Sequence, residues 1–338
     1  MSWRRFLRTA IIGFVALVVF VYALILLVDP YQNIPFSLPL DRAPISTNQR
    51  FAYPALARDP RFDSVIIGSS TLRLLNPENL DGLTGARFAN LAMNSATAYE
   101  QSRIHELFVR HHPGAKYVIV GIDDSWCKRE TSYDKYTFRA FPEWMYDENP
   151  WNDLLYLFND KALENTVRLL EFVTGRREAK YETNGYRDFT PDFGVYDIEE
   201  VRRRLYPKGR PSERRVPDLT PRRERSDWNY ASHGLLSGLF DALPKSARAL
   251  AILAPMHGQY LARAELSYRE CKARILELAE RQRVGVMDYM IDSPITRVDE
   301  NYWDPLHITA PVARDIEGDV AARLRGEDPP QERYIAYP

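Results

Sequence analysis

Two separate segments of the chain carry the side-chain types of serine-based acyl transfer. The tripeptide Gly68-Ser69-Ser70 directly follows a short apolar run, and Asp304 and His307 stand three residues apart near the C-terminus. An imidazole oriented by a carboxylate can take the proton of a serine hydroxyl and so make its oxygen a nucleophile. Each segment also has a plainer interpretation, because serine often begins a helix and Asp-Pro often begins a turn.

The pattern of apolar residues predicts the elements that must position these side chains. Strands are predicted at 64–67, 87–93, 117–122, 248–253 and 284–290, and helices at 98–111, 161–173, 264–282 and 311–324. Strands that alternate with helices indicate βαβ units, and hence a parallel sheet with helices on both faces. Ligands bind such sheets outside the carboxyl ends of the strands, where Ser70 is expected. Residues 175–227 lack periodicity and predict no element.

Residues 11–28 form an uncharged apolar run that is long enough to cross a bilayer. At 1.5 Å per residue, a helix of this length nearly spans a hydrocarbon core of about 30 Å. Arg4, Arg5 and Arg8 precede the run, so the positive-inside rule places the N-terminus in the cytoplasm and the rest of the chain outside. A cleaved signal peptide is the alternative, but its apolar stretch is normally only about 7–15 residues long. We therefore expect an uncleaved anchor.

The expected organisation is a single external domain on a tether. A cytoplasmic tail is predicted at 1–9, the transmembrane anchor at 10–28, the tether at 29–60, the domain at 61–326 and a C-terminal tail at 327–338. The domain contains an insertion at about 138–230 that is rich in aromatic and charged residues. Its aromatic side chains either stack on sugar rings or form the insertion's own core, and the core interpretation is preferred.

Composition excludes several classes of function. The chain has 45 Lys and Arg against 46 Asp and Glu, so no overall positive field favours nucleic acid as a partner. Cys127 and Cys271 are too few for a disulfide-dense scaffold or a four-cysteine metal site. No metal and no cofactor is predicted. His257 either lines the crevice or packs within a loop, and the loop interpretation is preferred.

Four motifs in chain order resemble the sequence blocks of the SGNH (GDSL-like) hydrolase superfamily. Gly68-Ser69-Ser70 resembles the Gly-Asp-Ser block, and residues 90–97 (NLAMNSAT) resemble the second block, N-x-G-x-x-G-x-T. Residues 121–124 (GIDD) are similar to the third block, G-x-N-D, and Asp304-x-x-His307 matches the last. Together with the βα alternation, the resemblance implies a three-layer α/β/α sandwich with a flavodoxin-like parallel sheet.

The resemblance also implies roles for individual residues. Ser70 is then the nucleophile, His307 the base and Asp304 its orienting carboxylate. Ser95 takes the place of a glycine whose amide binds the oxyanion, and Asp123 replaces an asparagine that donates to it. A carboxylate cannot donate, so either Asp123 is protonated, or Asn94 substitutes for it, or catalysis is weak.

An N-terminal anchor and a Gly-Ser-Ser turn are also similar to one subgroup of the superfamily, the polysaccharide O-acetylation and D-alanyl transfer proteins. The resemblance implies a serine esterase or O-acyltransferase, held by residues 11–28 on the outer side of the cytoplasmic membrane. Its substrates would be acyl esters of a cell-surface glycan or lipid, and a membrane-bound O-acyltransferase would be its partner. The alternative is an inactive relative that binds a glycan or such an acyltransferase.

Overall fold

The chain folds into two units that interleave along the sequence. The computed structural model describes residues 2–40, 42–211, 215–328 and 332–338. The first unit comprises Met1–Ala55 and Phe141–Thr183, and the second comprises Leu56–Ala140 and Asn184–Pro338. The predicted insertion at 138–230 is therefore divided between the two units.

A six-stranded sheet forms the centre of the second unit. Its strands are β1 (Ser64–Ile67), β2 (Phe88–Asn90), β3 (Tyr117–Ile122), β4 (Arg248–Leu253), β5 (Gly285–Asp288) and β6 (Ile335–Tyr337). They lie in the order β2-β1-β3-β4-β5-β6, and all neighbours are parallel except β5 and β6. The α/β class and the mostly parallel sheet are thus confirmed.

The core beside the turn that follows β1 is formed by apolar strands and by close packing of that turn on β3. Ile66 and Ile119 are fully buried on neighbouring strands, as expected for a parallel sheet covered on both faces. Leu72 packs over Gly121, where an added Cβ would lie 2.5 Å from the Leu72 side chain. Gly121 therefore lets the chain after β1 lie close against β3.

Helices connect the strands of this unit, and the predicted ones are confirmed to within a residue or two. The helix α4 (Ala98–His111) begins with a capping box of Thr97 and Glu100, which satisfies free amides of its first turn. The unit's helices, after α2 (Gln49–Arg58), which begins in the first unit, are α3 (Pro77–Thr84), α4 (Ala98–His111), α5 (Asp124–Cys127), α8 (Ile198–Leu205), α9 (Ser232–Asp241), α10 (Gly258–Leu261), α11 (Glu265–Gln282), α12 (Pro294–Arg297) and α13 (Ala310–Arg325).

Several segments differ from the sequence-based expectation. The expected tether at 29–60 contains the helix α2, and the helices α3 and α9 lie where none was predicted. The end of the expected C-terminal tail forms β6, which pairs antiparallel with β5 through Ala336 and Met287. Residues 190–193 and 198–205, where no element was predicted, form a 3-10 turn and the short helix α8.

The first unit is built on a long apolar helix, α1 (Trp3–Val28). Among the described residues it is the one helix that is long and apolar enough to cross a membrane, with a mean hydropathy of 3.2 over its most apolar window. α6 (Asp153–Tyr156) and α7 (Asp160–Val173) follow later in the chain. Val28, Ile45 and Leu169 form a small buried core between α1, the following segment and α7.

Candidate active site

The turn after β1 presents one serine outward and turns the other inward. Ser69 is buried and caps the 3-10 turn Ser70–Leu72, while Ser70 is only half-buried. The Ser69 hydroxyl donates to a carboxylate oxygen of Asp123. Ser70 is therefore the serine that is available to a ligand.

Ser70, His307 and Asp304 form a continuous chain of hydrogen bonds. The Nδ1 atom of His307 lies 2.7 Å from Oδ2 of Asp304, and its Nε2 lies 2.9 Å from Oγ of Ser70. An ionised carboxylate can only accept, so Nδ1 carries the proton and Nε2 is left as an acceptor for the Ser70 hydroxyl. The structure thus brings together the three residues that the sequence predicted as a triad.

Asp304 is held as an anion by its own loop. Burial alone would raise the pKa of its carboxyl, but the hydrogen bond and charge of His307 and two backbone amides outweigh burial and lower that pKa. The amides belong to Leu306 and His307 and donate to Oδ1 at 2.8 and 3.0 Å. The Asp-x-x-His spacing therefore folds the loop and aims the imidazole at the same time.

Contacts on either side fix this loop in place. The amide of Trp303 donates to the carbonyl of His307 at 2.8 Å, and Tyr302 pairs with Ile308 in an antiparallel bridge. The amide of His257 donates to the carbonyl of Pro305 at 2.9 Å.

The residue His257 contacts this loop but lies outside the cavity. It is buried, caps α10, and has its Nε2 3.3 Å from a carboxylate oxygen of Asp299. His257 does not line the cavity at Ser70. The interpretation of His257 as a packed loop histidine is confirmed.

Ser95 adopts the backbone conformation that a glycine would take. Its φ is +51°, in the left-handed region, and it lines the same cavity as Ser70. Among the described residues, no acceptor takes the amide protons of Ser70 or Ser95. Both amides are therefore unused donors beside the nucleophile.

Asn94 is engaged away from the cavity. Its side-chain oxygen accepts from a guanidinium nitrogen of Arg73, and it is not among the cavity-lining residues. The structure therefore does not bring Asn94, one of the three alternatives left open by the sequence, to the wall of this cavity.

Asp123 lies in the cavity wall, where hydroxyl and amide groups surround its carboxyl. One of its oxygens accepts from the hydroxyls of Ser69 and Thr71, and the other accepts from the amide and hydroxyl of Ser125. Four donors thus point at its two oxygens. Its carboxyl ties the turn after β1 to the start of α5, and its role toward an oxyanion stays a prediction.

Asn90 organises the chain that follows the nucleophile. Its side-chain amide donates to the carbonyl of Leu75 at 2.8 Å and reaches those of Leu72 and Arg73 at 3.3 and 3.4 Å. Its oxygen accepts from the amide of Ala92. A single asparagine at the end of β2 therefore holds the segment after Ser70 against the sheet.

An aromatic wall that the sequence analysis missed packs against His307. The rings of Phe189 and Phe193 each lie 5.7 Å from the imidazole, centroid to centroid, and Phe193 stacks on Trp303. The guanidinium of Arg73 lies 4.6 Å above the Phe189 ring. The only sequence signal was the position of Trp303 beside Asp304, since Phe189 and Phe193 lie in a segment without periodicity.

A cavity of about 360 Å³ lies at Ser70, and residues that follow α5 form part of its wall. Tyr133 and Tyr136 line it, with partly exposed rings that pack around Tyr99 of α4. Lys128 and Asp134 add charge to this wall. The cavity is large enough for a small acyl group together with part of a polar acceptor.

Asp124 lines the cavity and receives two tyrosine hydroxyls, those of Tyr260 and Tyr268. Burial raises the pKa of its carboxyl, and the hydrogen bonds from the tyrosines offset this only in part. The same burial and the nearby carboxylate raise the pKa of both phenols, which stay protonated as donors.

A disulfide joins the cavity wall to α11. Cys127, at the end of α5, is bonded to Cys271, with the two Cα atoms 5.5 Å apart. No pairing of these two cysteines was predicted from the sequence. Within the described residues, no group of three His, Cys, Asp or Glu side chains is arranged to hold a metal ion.

Comparison with known proteins gives no family for the chain. A scan against protein-family models and a search of the curated proteins both find no match. Any function assigned to the chain therefore depends on the geometry at Ser70.

Proposed function

We propose that the second unit performs serine-dependent ester chemistry at Ser70, as an esterase or an O-acyltransferase. One observation carries the proposal: the hydrogen-bonded chain from the Ser70 hydroxyl through His307 to Asp304, beside a cavity that Ser70 and His307 line. The plainer interpretations do not account for this arrangement. A serine that only begins a helix has no need of a hydrogen bond to an imidazole, and an aspartate that only forms a turn has no need of a histidine at its second oxygen.

In the first half-reaction, Ser70 Oγ attacks the carbonyl carbon of an acyl ester while its proton passes to Nε2 of His307. Asp304 keeps the proton on Nδ1 and stabilises the imidazolium that forms. Collapse of the tetrahedral intermediate breaks the ester bond, and the leaving alkoxide takes the Nε2 proton. The products are an alcohol and an acyl-Ser70.

Two backbone amides are available for the oxyanion of that intermediate. The amides of Ser70 and Ser95 have no acceptor among the described residues, and both residues line the cavity. Preorganised donors of this kind stabilise the transition state, and loss of one typically costs about 10²–10³ in rate. With no side-chain donor at residue 123, we expect a modest kcat.

In the second half-reaction, an O–H group attacks the acyl-Ser70 and His307 moves its proton in the same way. Water as the attacking group gives an esterase, and a sugar hydroxyl gives an acyltransferase. The cavity wall of Tyr133, Tyr136, Lys128 and Asp134 suits a polar, hydroxyl-rich acceptor. The proposed substrates are acyl esters of a cell-surface glycan or lipid, with a membrane-bound O-acyltransferase as the proposed partner.

The strand order supports an SGNH-like, three-layer sandwich. Strands one to five lie in the order 2-1-3-4-5, which is the flavodoxin-like order of doubly wound sheets. Ser70, Ser95 and Asp123 follow β1, β2 and β3, the three adjacent strands at one end of that order.

Two observations support an extracytoplasmic location. Arg4, Arg5 and Arg8 lie at the N-terminal end of α1, which favours a cytoplasmic N-terminus. The bond between Cys127 and Cys271 is typical of oxidising compartments and rare in the cytosol.

Asp123 favours a second candidate, a non-catalytic domain that binds a glycan or an acyltransferase. Mass spectrometry separates the two. The purified full chain is mixed with p-nitrophenyl acetate, and the acid-quenched protein should gain one acetyl group on Ser70. Ser70→Ala should gain none, whereas Ser226→Ala, at an exposed serine, should behave as the wild type. Absence of acetyl-Ser70 and of ester turnover would favour the binding domain.

A further inference from the structure

The two ends of α1 have different surroundings. From Trp3 to Phe20 nearly every side chain is exposed, including Phe14 and Phe20. From Leu24 onward the helix packs against α7 and the segment after α1, and Val28 is buried. The bare part is about 27 Å long at 1.5 Å per residue, close to the roughly 30 Å of a hydrocarbon core.

Residues 151–158 are fixed to α1 where its covered part begins. The Tyr22 hydroxyl donates to the carbonyl of Leu154, and the Tyr22 ring meets that of Phe158 with centroids 5.3 Å apart. Phe36, from the segment after α1, lies 6.3 Å from Trp151. Leu154 and Phe158 therefore lie at the level of Tyr22 on α1.

Large apolar side chains of this cluster have no cover. Leu155 is 81% exposed, Trp151 62% and Phe158 56%, and about half of Tyr156 and of Phe36 is exposed too. We call these five residues the interfacial patch. Exposed apolar side chains concentrated in so short a segment mark an interaction surface in a folded protein.

We propose that the interfacial patch inserts into the headgroup region of the same bilayer that α1 crosses. The proposal rests on α1 being the membrane anchor, which is part of the proposed function. Phe158 of the interfacial patch contacts α1 at Tyr22, close to where the bare part of the helix ends. Aromatic residues are enriched at the boundary between the hydrocarbon core and water. Asp160 and Lys161 follow directly and are exposed, so the patch enters the boundary and stops short of the hydrocarbon centre.

The patch and the anchor together would orient the first unit. A lone helix can rotate and tilt in a bilayer, whereas an aromatic anchor beside it fixes both. Arg8 lies near the N-terminal end of α1. Its long side chain would extend toward the headgroups of the other leaflet.

Depth-dependent quenching tests the proposal on the full chain in phosphatidylcholine vesicles. A fluorophore is attached to Leu155→Cys, to Val15→Cys on the bare part of α1, and to Val173→Cys. Val173 is also exposed and apolar, but lies at the far end of α7. The native cysteines are bonded to each other and do not react without reductant. Nitroxides are carried on the lipid headgroup, at acyl carbon 5 or at acyl carbon 12.

The label at 155 should lose emission to headgroup and carbon-5 nitroxides, the label at 15 to carbon-12 nitroxide, and the label at 173 to none. Quenching at 15 without quenching at 155 would overturn the patch and leave the anchor intact. No quenching at either site would refute the anchor as well. A blue-shifted but unquenched label at 155 would also overturn the proposal, because protein, such as a second copy of the chain, would then cover the patch. Trp151→Cys gives a second measurement on the same patch.

Discussion

Catalysis by Ser70 depends on which imidazole nitrogen of His307 carries the proton. The carboxylate of Asp304 can only accept, so it keeps the proton on Nδ1 and leaves Nε2 free to act as a base. Two backbone amides on the other carboxylate oxygen fix its direction. The choice of tautomer therefore depends on one side chain.

Replacing this carboxylate by its amide tests that dependence. In Asp304→Asn the side-chain oxygen can still accept from the amides of Leu306 and His307, so the loop should keep its fold. The amide can donate to Nδ1, which moves the imidazole proton to Nε2, and kcat for a chromogenic acetate ester should fall about 10⁴-fold. Unchanged kcat with an unchanged melting temperature would contradict the role given to Asp304.

Asp123→Asn distinguishes an organising carboxylate from an oxyanion donor. The substitution turns one acceptor oxygen into a donor that faces hydroxyl or amide groups, so the free energy of unfolding should fall by about 1–3 kcal/mol. Activity should not extend to higher pH. The pH–rate profile and the melting temperature check this result, and a gain of activity on the alkaline side would restore the donor hypothesis.

The triad could be predicted from sequence because its parts are local. Ser70 follows a recognisable strand, and only two residues separate Asp304 from His307, so each piece carries its own signal. The engagement of Asn94 by Arg73 and of Asp123 by Ser69 could not be predicted, because these contacts join residues that only the fold brings together.

At the scale of elements, α4 carries an unusual buried histidine. His105 is fully buried, and neither ring nitrogen has a hydrogen-bond partner among the described residues. Burial lowers the pKa of His105 to about 3. Between about pH 6.5 and pH 3, His105 is therefore neutral in the native state but protonated in the unfolded chain.

The fold should therefore weaken in acid. As pH falls from the unfolded-state value of about 6.5 toward 3, His105 alone should lower the free energy of unfolding by up to about 1.4 kcal/mol per pH unit. His105→Leu should flatten this decline, measured as melting temperature against pH. His111→Gln, at an exposed position of the same helix, is the control and should leave the slope unchanged. Equal slopes in all three proteins would contradict the assignment.

Long elements with a periodic apolar pattern could be predicted. Short elements, and elements that form only through contacts with the rest of the fold, could not. The pattern of 98–111 gave α4 its bounds because one face of the helix is apolar. β6 has three residues and exists only through its pairing with β5. α8 lies in a charged segment, and its apolar face, Val201 and Leu205, is too short to stand out.

At the scale of the whole molecule, the link between Cys127 and Cys271 spans a sequence separation of 144 residues within the second unit. The pairing had no sequence signal, because residues that far apart become neighbours only after the sheet has formed. A cross-link over so long a loop restricts the unfolded chain strongly.

Reduction should therefore destabilise the protein. The chain-entropy relation gives a loss on the order of 5 kcal/mol for a loop of this size. The wild type should melt at a lower temperature in reductant, whereas the double variant Cys127→Ser/Cys271→Ser should melt low in both conditions. Protein isolated from membranes without reductant should resist thiol alkylation; two reactive thiols there would contradict the disulfide and remove one support for an external location.

The most direct test of Ser70 as an activated nucleophile is covalent labelling with a fluorophosphonate, which reacts with serine hydroxyls made nucleophilic by a base. The full chain in detergent should be labelled at Ser70, Ser70→Ala should not be labelled, and His307→Ala should react far more slowly. Ser69→Ala, at the neighbouring buried serine, should still be labelled. Labelling that persists in Ser70→Ala, or a wild-type chain that remains unlabelled while folded, would contradict serine-dependent chemistry at this site.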